Sequence, residues 1–254
     1  SILVISLNRY YSIGAYAVCN FRSRYRGIWA GLGVLLFVLS LQAQAADGCS
    51  LAPPEFAPTQ VRVAGASRPL IAVVPPDYSP QFRHRLIIAF HGRTNPAAKV
   101  RSYYDLEQHA YTPTIFVYPS GVANSQGKFS WWSPGDLPDA LRGYALFDAI
   151  RTLMVKDYCI GDIYLVGHSL GASIVNSLGC ARGEFIRAIV SVAGGMERPV
   201  CSGPIAAMLV HNPNDRLVPL RFGEAAKDYL LTRGVYAGTP QPEEFMGLGC
   251  SRYR

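Results

Sequence analysis

The segment Gly-His-Ser-Leu-Gly at residues 167–171 strongly constrains the fold of this chain. It follows the apolar run 162–166 and precedes a helix-like segment, so it fits the tight strand-to-helix turn known as a nucleophile elbow. Such a sharp turn leaves no space for side chains at Gly167 and Gly171, and the helix that follows presents N–H groups to an anion. The pattern predicts that Ser169 is a nucleophile exposed at the end of a strand.

Apolar runs alternate with segments of helical pattern along most of the chain. Strands are predicted at about 61–64, 69–74, 85–90, 114–118, 162–166, 187–192 and 205–210. Helices are predicted at about 97–109, 139–157, 170–181 and 221–232. Because the runs are apolar on both faces, the sheet should be mostly parallel and covered on both sides. Residues 46–254 are long enough for one α/β domain of this kind.

The first 45 residues have the pattern of a leader. Residues 22–45 contain three arginines, an uncharged run over 27–41, and small residues at Ala43 and Ala45. This is the composition of a secretory signal peptide. The alternative is a membrane anchor, but the run is shorter than the roughly 20 apolar residues that cross a bilayer. We therefore expect a secreted or periplasmic domain that begins near residue 46 and has no stable membrane anchor.

The charge balance argues against nucleic acid as a partner. The chain has 24 basic and 17 acidic residues, and four of the arginines lie in the leader, where no acid occurs. Without them, 20 basic residues face 17 acidic ones, a net charge of +3. The mature part also shows no stripe of Lys and Arg interleaved with exposed aromatic residues.

Six cysteines are present, one in the leader and five after it: Cys19, Cys49, Cys159, Cys180, Cys201 and Cys250. No Cys-x-x-Cys pair occurs, which disfavours a zinc site, whereas export favours disulfides. Cys180 and Cys201 bracket one β-α unit and are the best candidate pair. An odd number after the leader leaves one cysteine without a partner in the chain. Buried free thiols are the alternative.

Polar residues follow three of the predicted strands at the same end. The strands at 85–90, 162–166 and 205–210 run into "HGRT", "GHSLG" and "HNPNDRLVP". Ligands of parallel sheets gather beyond the carboxyl ends of the strands. An ester hydrolase built this way needs a serine, then an acid, then a histidine in chain order. Ser169 and Asp215 fit the first two positions.

Taken together, the motifs resemble a known family. "LIIAFHGRT", "YPSG", "WWSPG", "YCIGDIYLVGHSLGAS", "VAG" and "HNPNDRLVP", within about residues 69–220, are similar to the α/β-hydrolase family of bacterial polyhydroxybutyrate depolymerases and feruloyl esterases. The resemblance implies an α/β-hydrolase fold, with a mostly parallel central sheet flanked by helices, and no metal or cofactor.

The same resemblance assigns roles at the site. Ser169 would be the nucleophile and Asp215 the triad acid. The N–H groups of Leu170 and Arg93 would form the oxyanion hole. Arg93 follows the family's His-Gly turn at residues 91–92, at a position where the family often has cysteine or another small residue.

Five further side chains near these motifs receive predictions. His91, His168 and His211 are expected to be structural, because a histidine directly after a strand can hydrogen-bond a loop carbonyl. Trp131 and Trp132 are expected to be one core residue and one substrate-binding residue, since clefts for aromatic or polyester substrates are commonly lined with aromatic rings.

The triad histidine is missing from its expected position. All five histidines, His84, His91, His109, His168 and His211, precede Asp215. After the helix near 221–232, the fold should return a strand, a loop with the histidine and a helix, yet residues 245–254 show no strand-like run. We therefore expect the sequence to be cut short at its C-terminus, without its last strand, last helix and general base. In the alternative, His91, His168 or His211 acts as the base.

These patterns predict a secreted serine esterase that hydrolyses carboxylic esters. Feruloyl esters of the plant cell wall and polyhydroxyalkanoate polyester are nearly equal candidates, and the tryptophan pair favours feruloyl esters. Two alternatives remain. One is a non-catalytic relative that binds polymer or saccharide, in which Ser169 only shapes a turn and Asp215 is a plain turn residue. The other is a serine peptidase with the same triad.

Overall fold

The computed structural model describes residues 2–6, 49, 52–123, 126–131, 137–233, 241–245 and 248–253. Of residues 2–6, 137–142, 241–245 and 248–253, only the backbone is described. The predicted signal peptide at 22–45, Cys19 and Trp132 lie outside the described residues. Among these residues no helix is both long and apolar enough to cross a membrane.

Strands and helices alternate through the described ranges. The strands are β1 (Ile2–Ser6), β2 (Gln60–Val63), β3 (Ala66–Val73), β4 (His84–Phe90), β5 (Thr114–Pro119), β6 (Val122–Ala123), β7 (Phe129–Ser130), β8 (Ile160–His168), β9 (Ala188–Val192), β10 (Ala206–His211), β11 (Gln241–Phe245) and β12 (Leu248–Tyr253). The α-helices are α1 (Ala97–Tyr104), α2 (Leu137–Asp157), α3 (Leu170–Ala181) and α4 (Leu220–Arg233). A 3-10 helix spans Leu106–His109.

Ten of these strands form one sheet in the order β11-β12-β1-β10-β9-β8-β4-β5-β3-β2. The six consecutive strands β1, β10, β9, β8, β4 and β5 pair in parallel. Antiparallel pairs complete both edges. The carboxyl ends of β4, β8 and β10 therefore lie at one edge of the sheet, which is where parallel α/β sheets bind their ligands.

Helices cover the sheet because its central strands are apolar on both faces. Every residue of β5 is buried. A large cluster joins β4 and β8 to α2 and α3, and a smaller one lies under α1, around Phe116 and Tyr118. Arg182, directly after α3, donates from Nε and Nη2 to the two carboxylate oxygens of Asp148 in α2, each at 2.9 Å. The predicted mostly parallel sheet flanked by helices is confirmed.

Most predicted boundaries agree with the structure, and two differ for local reasons. β3 starts at Ala66 instead of residue 69, because Ala64 and Gly65 have φ of 47° and 82° and join β2 to β3 in a tight hairpin. α1 ends at Tyr104 instead of residue 109. Asp105 adopts a left-handed conformation there, with φ 48° and ψ 36°, which stops the helix.

The expectation that no strand follows the helix at 221–232 is wrong. β11 and β12 form an antiparallel hairpin, and β12 pairs with β1, which lies within the predicted leader. Their sequences, "QPEEF" and "LGCSRY", lack the apolar alternation by which strands are recognised, and they occupy an edge where backbone pairing defines the strand. Among the described residues no helix follows Arg233.

Two disulfides connect distant parts of the fold. Cys180, in α3, pairs with Cys201, and this predicted pairing is confirmed. Cys49 pairs with Cys159 across 110 residues and fastens the start of the domain to the residue before β8. The alternative of buried free thiols is wrong for these four cysteines. Of Cys250 only the backbone is described.

Candidate active site

Ser169 lies at the turn between β8 and α3 in a conformation that few residues other than glycine adopt. Its φ is 57° and its ψ is −123°. Backbone strain of this kind costs roughly 1–3 kcal/mol and persists where the surroundings enforce it. The Ser169 N–H donates to the Val192 carbonyl at 2.8 Å, and the Ser169 carbonyl accepts from Ser173 N–H at 3.1 Å. The turn is thus tied to the neighbouring strand and to its own helix.

Glycines make this turn possible, as the sequence predicts. A Cβ at Gly167 would collide with the carbonyl of Gly171, and a Cβ at Gly171 would collide with the carbonyl of Phe90. The helix therefore packs directly against the backbone of the strand before it and of β4. The predicted steric reason for both glycines is confirmed.

Two backbone N–H groups beside Ser169 are available for an anion. Leu170 is the first residue of α3, and its N–H has no acceptor among the described residues. The N–H of Arg93 likewise has none within the described part of the chain. Gly92, next to it, lies against the nucleophile, since a Cβ there would be 3.5 Å from the Cβ of Ser169. The arrangement is compatible with the oxyanion hole predicted at Leu170 and Arg93.

His91 supports the loop that carries Arg93. The His91 side chain is buried, and its Nε2 accepts the Gly121 N–H at 2.8 Å. Nδ1 must then carry the proton, and it donates to the Gly92 carbonyl at 2.6 Å. The ring stacks on Trp131 at 4.2 Å, and Trp131 Nε1 donates to the His91 carbonyl at 2.6 Å. The predicted structural role of His91 is confirmed, because neither ring nitrogen is free to act as a base.

Burial lowers the pKa of His91 from 6.5 to about 4, which predicts a pH-dependent stability. Between these values the unfolded chain binds more protons than the folded one, so the free energy of unfolding falls as the pH drops from 6.5 towards 4. The loss from this group is of the order of 3 kcal/mol. Urea unfolding at several pH values should show a flatter profile for His91→Asn than for the wild type. The exposed His109→Asn serves as control, and parallel profiles for His91→Asn and the wild type would contradict the assignment.

Asp215 lies in the loop that follows β10, and backbone groups hold one of its carboxylate oxygens. Oδ1 accepts the N–H groups of Leu217 at 2.8 Å and Val218 at 2.9 Å. Oδ2 makes no hydrogen bond within the described residues, so it can accept the N–H of an imidazole. His211 Nε2 donates to the Val218 carbonyl at 2.7 Å and closes the loop on the strand end. The predicted structural role of His211 is therefore also confirmed.

His168 is the flanking histidine whose ring nitrogens make no hydrogen bond among the described residues. Its ring is half-buried, with its centroid 6.3 Å from that of Tyr103. Burial lowers the pKa of His168, and the charge of Asp215 acts in the opposite direction. The carboxylate is thus close enough to the nucleophile turn to influence it electrostatically. Ser169 and Asp215 lie on the same edge of the sheet, at the ends of β8 and β10.

The tryptophan pair is described in part. Trp131 is buried beneath His91, with its ring 5.1 Å from that of Phe90 in an edge-to-face contact. It is therefore the core member of the pair. The predicted substrate-binding role of the other member, Trp132, stays a prediction, because that residue lies outside the described ones. No group of His, Cys, Asp and Glu side chains in the described ranges is arranged to hold a metal ion.

Comparison with known proteins shows which proteins this chain resembles. No protein-family model matches the chain. Feruloyl esterase C of Emericella nidulans is 29% identical over 170 aligned residues, which cover 61% of this chain and 58% of that protein. A probable feruloyl esterase C of Aspergillus terreus is 28% identical over 204 aligned residues, covering 73% of this chain and 72% of that protein. The chain is therefore similar in sequence to feruloyl esterases.

A solved structure gives the same fold. The carboxylesterase of Bacillus cereus superposes with a TM-score of 0.55 at 16% identity, over 66% of this chain and 81% of that one. The predicted α/β-hydrolase fold and the predicted resemblance to feruloyl esterases are confirmed. The chain spans little more than half the length of the Emericella protein.

Proposed function

We propose that this feruloyl esterase relative is a carboxylic ester hydrolase with Ser169 as its nucleophile. The observation that carries the proposal is the strained Ser169 backbone, with φ 57° and ψ −123°, between two glycines that admit no side chain. Strain of this kind persists only where the surrounding structure enforces it, and it is concentrated at active sites. The sequence similarity to esterases supports the same chemistry.

In this proposal the Ser169 hydroxyl attacks the ester carbonyl carbon and forms a C–O bond. The carbonyl π electrons move to the oxygen, and the N–H groups of Leu170 and Arg93 stabilise the resulting anion, each by about 3–4 kcal/mol. A base takes the serine proton and delivers it to the departing alkoxide as the old C–O bond breaks. Water then hydrolyses the acyl-enzyme by the same steps in reverse roles. Asp215 would orient the base through Oδ2.

The identity of the base stays a prediction. Both ring nitrogens of His91 are bound to backbone groups, which excludes it as the base, whereas His211 uses only Nε2 and His168 uses neither ring nitrogen within the described residues. His168 directly precedes the nucleophile in the chain, and the usual order places the histidine after the acid. That order favours a histidine after Asp215, and residues 216–254 contain none.

The surface near the site favours an ester with an apolar group. Tyr103, whose ring faces His168, is 41% exposed, and Leu217, two residues after Asp215, is 94% exposed. Large apolar side chains at this exposure beside a polar site suit contact with an aromatic acyl group. We propose esters of aromatic acids such as ferulic acid as substrates in preference to polyhydroxyalkanoate, and an exported protein, which the two disulfides support.

The test compares substrates and nucleophile labelling in two forms of the protein. The 254-residue chain and an extended form that includes any downstream coding sequence are incubated with a fluorophosphonate probe, methyl ferulate, polyhydroxybutyrate and a peptide anilide. We expect the extended form to label at Ser169 and to cleave methyl ferulate fastest. Equal turnover of methyl ferulate by both forms would show that a histidine preceding Asp215 is the base. Absence of labelling and turnover in the extended form would contradict the esterase proposal, and preference for the peptide would make the protein a peptidase.

A further inference from the structure

An open groove lies at the edge of the sheet opposite Ser169. It crosses the amino ends of β8, β9 and β10, has a volume of about 710 Å³, and continues onto the residue before β4. Three arginines line it: Arg83, Arg151 and Arg187. The nucleophile turn is at the carboxyl ends of the same strands, so the groove takes no part in the proposed chemistry.

Two of the three guanidinium groups are held in place by neutral partners. The side chain of Arg83 crosses Gly161, where a Cβ would lie 3.1 Å from the Cβ of Arg83, and its Nη1 donates to the Ile160 carbonyl at 3.1 Å. The guanidinium of Arg151 lies 3.8 Å from the centre of the Phe185 ring. Both cations are therefore positioned in the groove without being neutralised.

No carboxylate of the described residues forms an ion pair with any of the three arginines, although two acids also line the groove. Asp162 accepts a hydrogen bond from the Tyr164 hydroxyl at 3.4 Å, and Glu184 lies next to Phe185. A ligand that carries carboxylates can supply the missing partners, because guanidinium binds carboxylate in a planar, two-bond geometry. The two acids disfavour a densely charged polyanion such as nucleic acid.

The spacing of the arginines favours a polymer over a single small anion. Arg83 directly precedes β4 and Arg187 directly precedes β9, and β8 lies between these two strands. Neighbouring strands are about 4.8 Å apart, so the two backbones are separated by about 10 Å across the groove. Phe185 also lines the groove, beside Arg151, and adds apolar surface because it is 38% exposed. Separated cations together with apolar surface match a chain of sugar rings that carries carboxylates.

We propose that this groove binds a uronate-bearing polysaccharide and so holds the protein on its polymeric substrate. The choice of polymer rests on the proposed function, since an exported esterase acting on feruloyl esters of the plant cell wall meets acidic polysaccharide there. Arg151 and Arg187 bind carboxylates, and Phe185 contacts the apolar face of a sugar ring.

The test is affinity electrophoresis through gels that contain polygalacturonate, neutral xylan or double-stranded DNA. We expect polygalacturonate to retard the wild type, and Arg151→Gln/Arg187→Gln to bind about tenfold or more weakly, as the loss of charge-assisted hydrogen bonds implies. The control Arg62→Gln/Lys99→Gln changes the net charge equally at exposed positions outside the groove and should bind like the wild type.

Three results would overturn the proposal: no retardation of the wild type by polygalacturonate, equal retardation of the groove variant and the wild type, or stronger retardation by DNA. The binding measurement needs no turnover, so it is independent of the esterase assay. Retardation by polygalacturonate, with neither labelling nor turnover in the extended form, would leave the groove as a polysaccharide site and refute the esterase function. Hydrolysis without retardation would do the reverse.

Discussion

Replacing Ser169 by alanine is expected to abolish ester hydrolysis in an active, natural-length form of the protein. Loss of the attacking oxygen should lower kcat by at least about 10⁴-fold, because the oxyanion hole alone gives only residual catalysis. The free energy of unfolding should stay close to the wild-type value, since alanine keeps the same strained backbone with φ 57°. Initial rates with methyl ferulate and urea unfolding measure the two quantities.

Ser169→Gly is the matched control for this prediction. Glycine also removes the hydroxyl, but it adopts positive φ without strain. We therefore expect the glycine variant to be as inactive as the alanine variant and more stable than it by about 1 kcal/mol. Substantial hydrolysis by either variant would show that Ser169 is not the nucleophile. Equal stability of the two would show that the turn stores no strain.

Removing the Cys49–Cys159 disulfide should destabilise the domain strongly. The two cysteines are 110 residues apart in sequence, and the chain-entropy model gives a loss of about 4–5 kcal/mol for a loop of this length. Cys180 and Cys201 are 21 residues apart, so Cys180→Ala/Cys201→Ala should cost only about 3 kcal/mol. Urea unfolding of Cys49→Ala/Cys159→Ala, of that second variant and of the wild type provides the measurement.

Dithiothreitol gives an independent check of the same ranking. Reduced wild type should be less stable than either double variant under oxidising conditions, because it loses both bridges. A larger loss for Cys180→Ala/Cys201→Ala than for Cys49→Ala/Cys159→Ala would show that loop length does not set the order. Cys159 directly precedes β8, at the end opposite Ser169. The kcat of folded Cys49→Ala/Cys159→Ala should accordingly match that of the wild type.

The sequence predicts the parts of the fold whose signals are local. Buried strands such as β4 and β8 are continuous apolar runs, so their positions can be read from composition alone. β12 could not be predicted, since "LGCSRY" has no apolar pattern and forms a strand through its pairing with β1 and β11. The Cys49–Cys159 bridge depends on a tertiary contact across 110 residues, which sequence spacing does not encode.

In the candidate site, too, some features are predictable from the sequence and others depend on tertiary contacts. The roles predicted for Ser169 and Asp215 follow from short motifs at strand ends, and the structure places both on one edge of the sheet. The tautomer of His91 and its bond to Gly121 depend on a loop 30 residues away. The groove with Arg83, Arg151 and Arg187 is assembled from separate segments, and no single stretch of sequence indicates it.

The hydrogen bond from His211 to the Val218 carbonyl has a consequence for how this protein can evolve. It closes residues 212–218 into a ring, inside which Asp215 is fixed by the N–H groups of Leu217 and Val218. The outward side chains of Arg216 and Leu217 take no part in these bonds, so mutation can exchange them while the carboxylate keeps its position. In the proposed esterase, selection for a new acyl group can therefore act on these two side chains at little cost to the position of the Asp215 carboxylate.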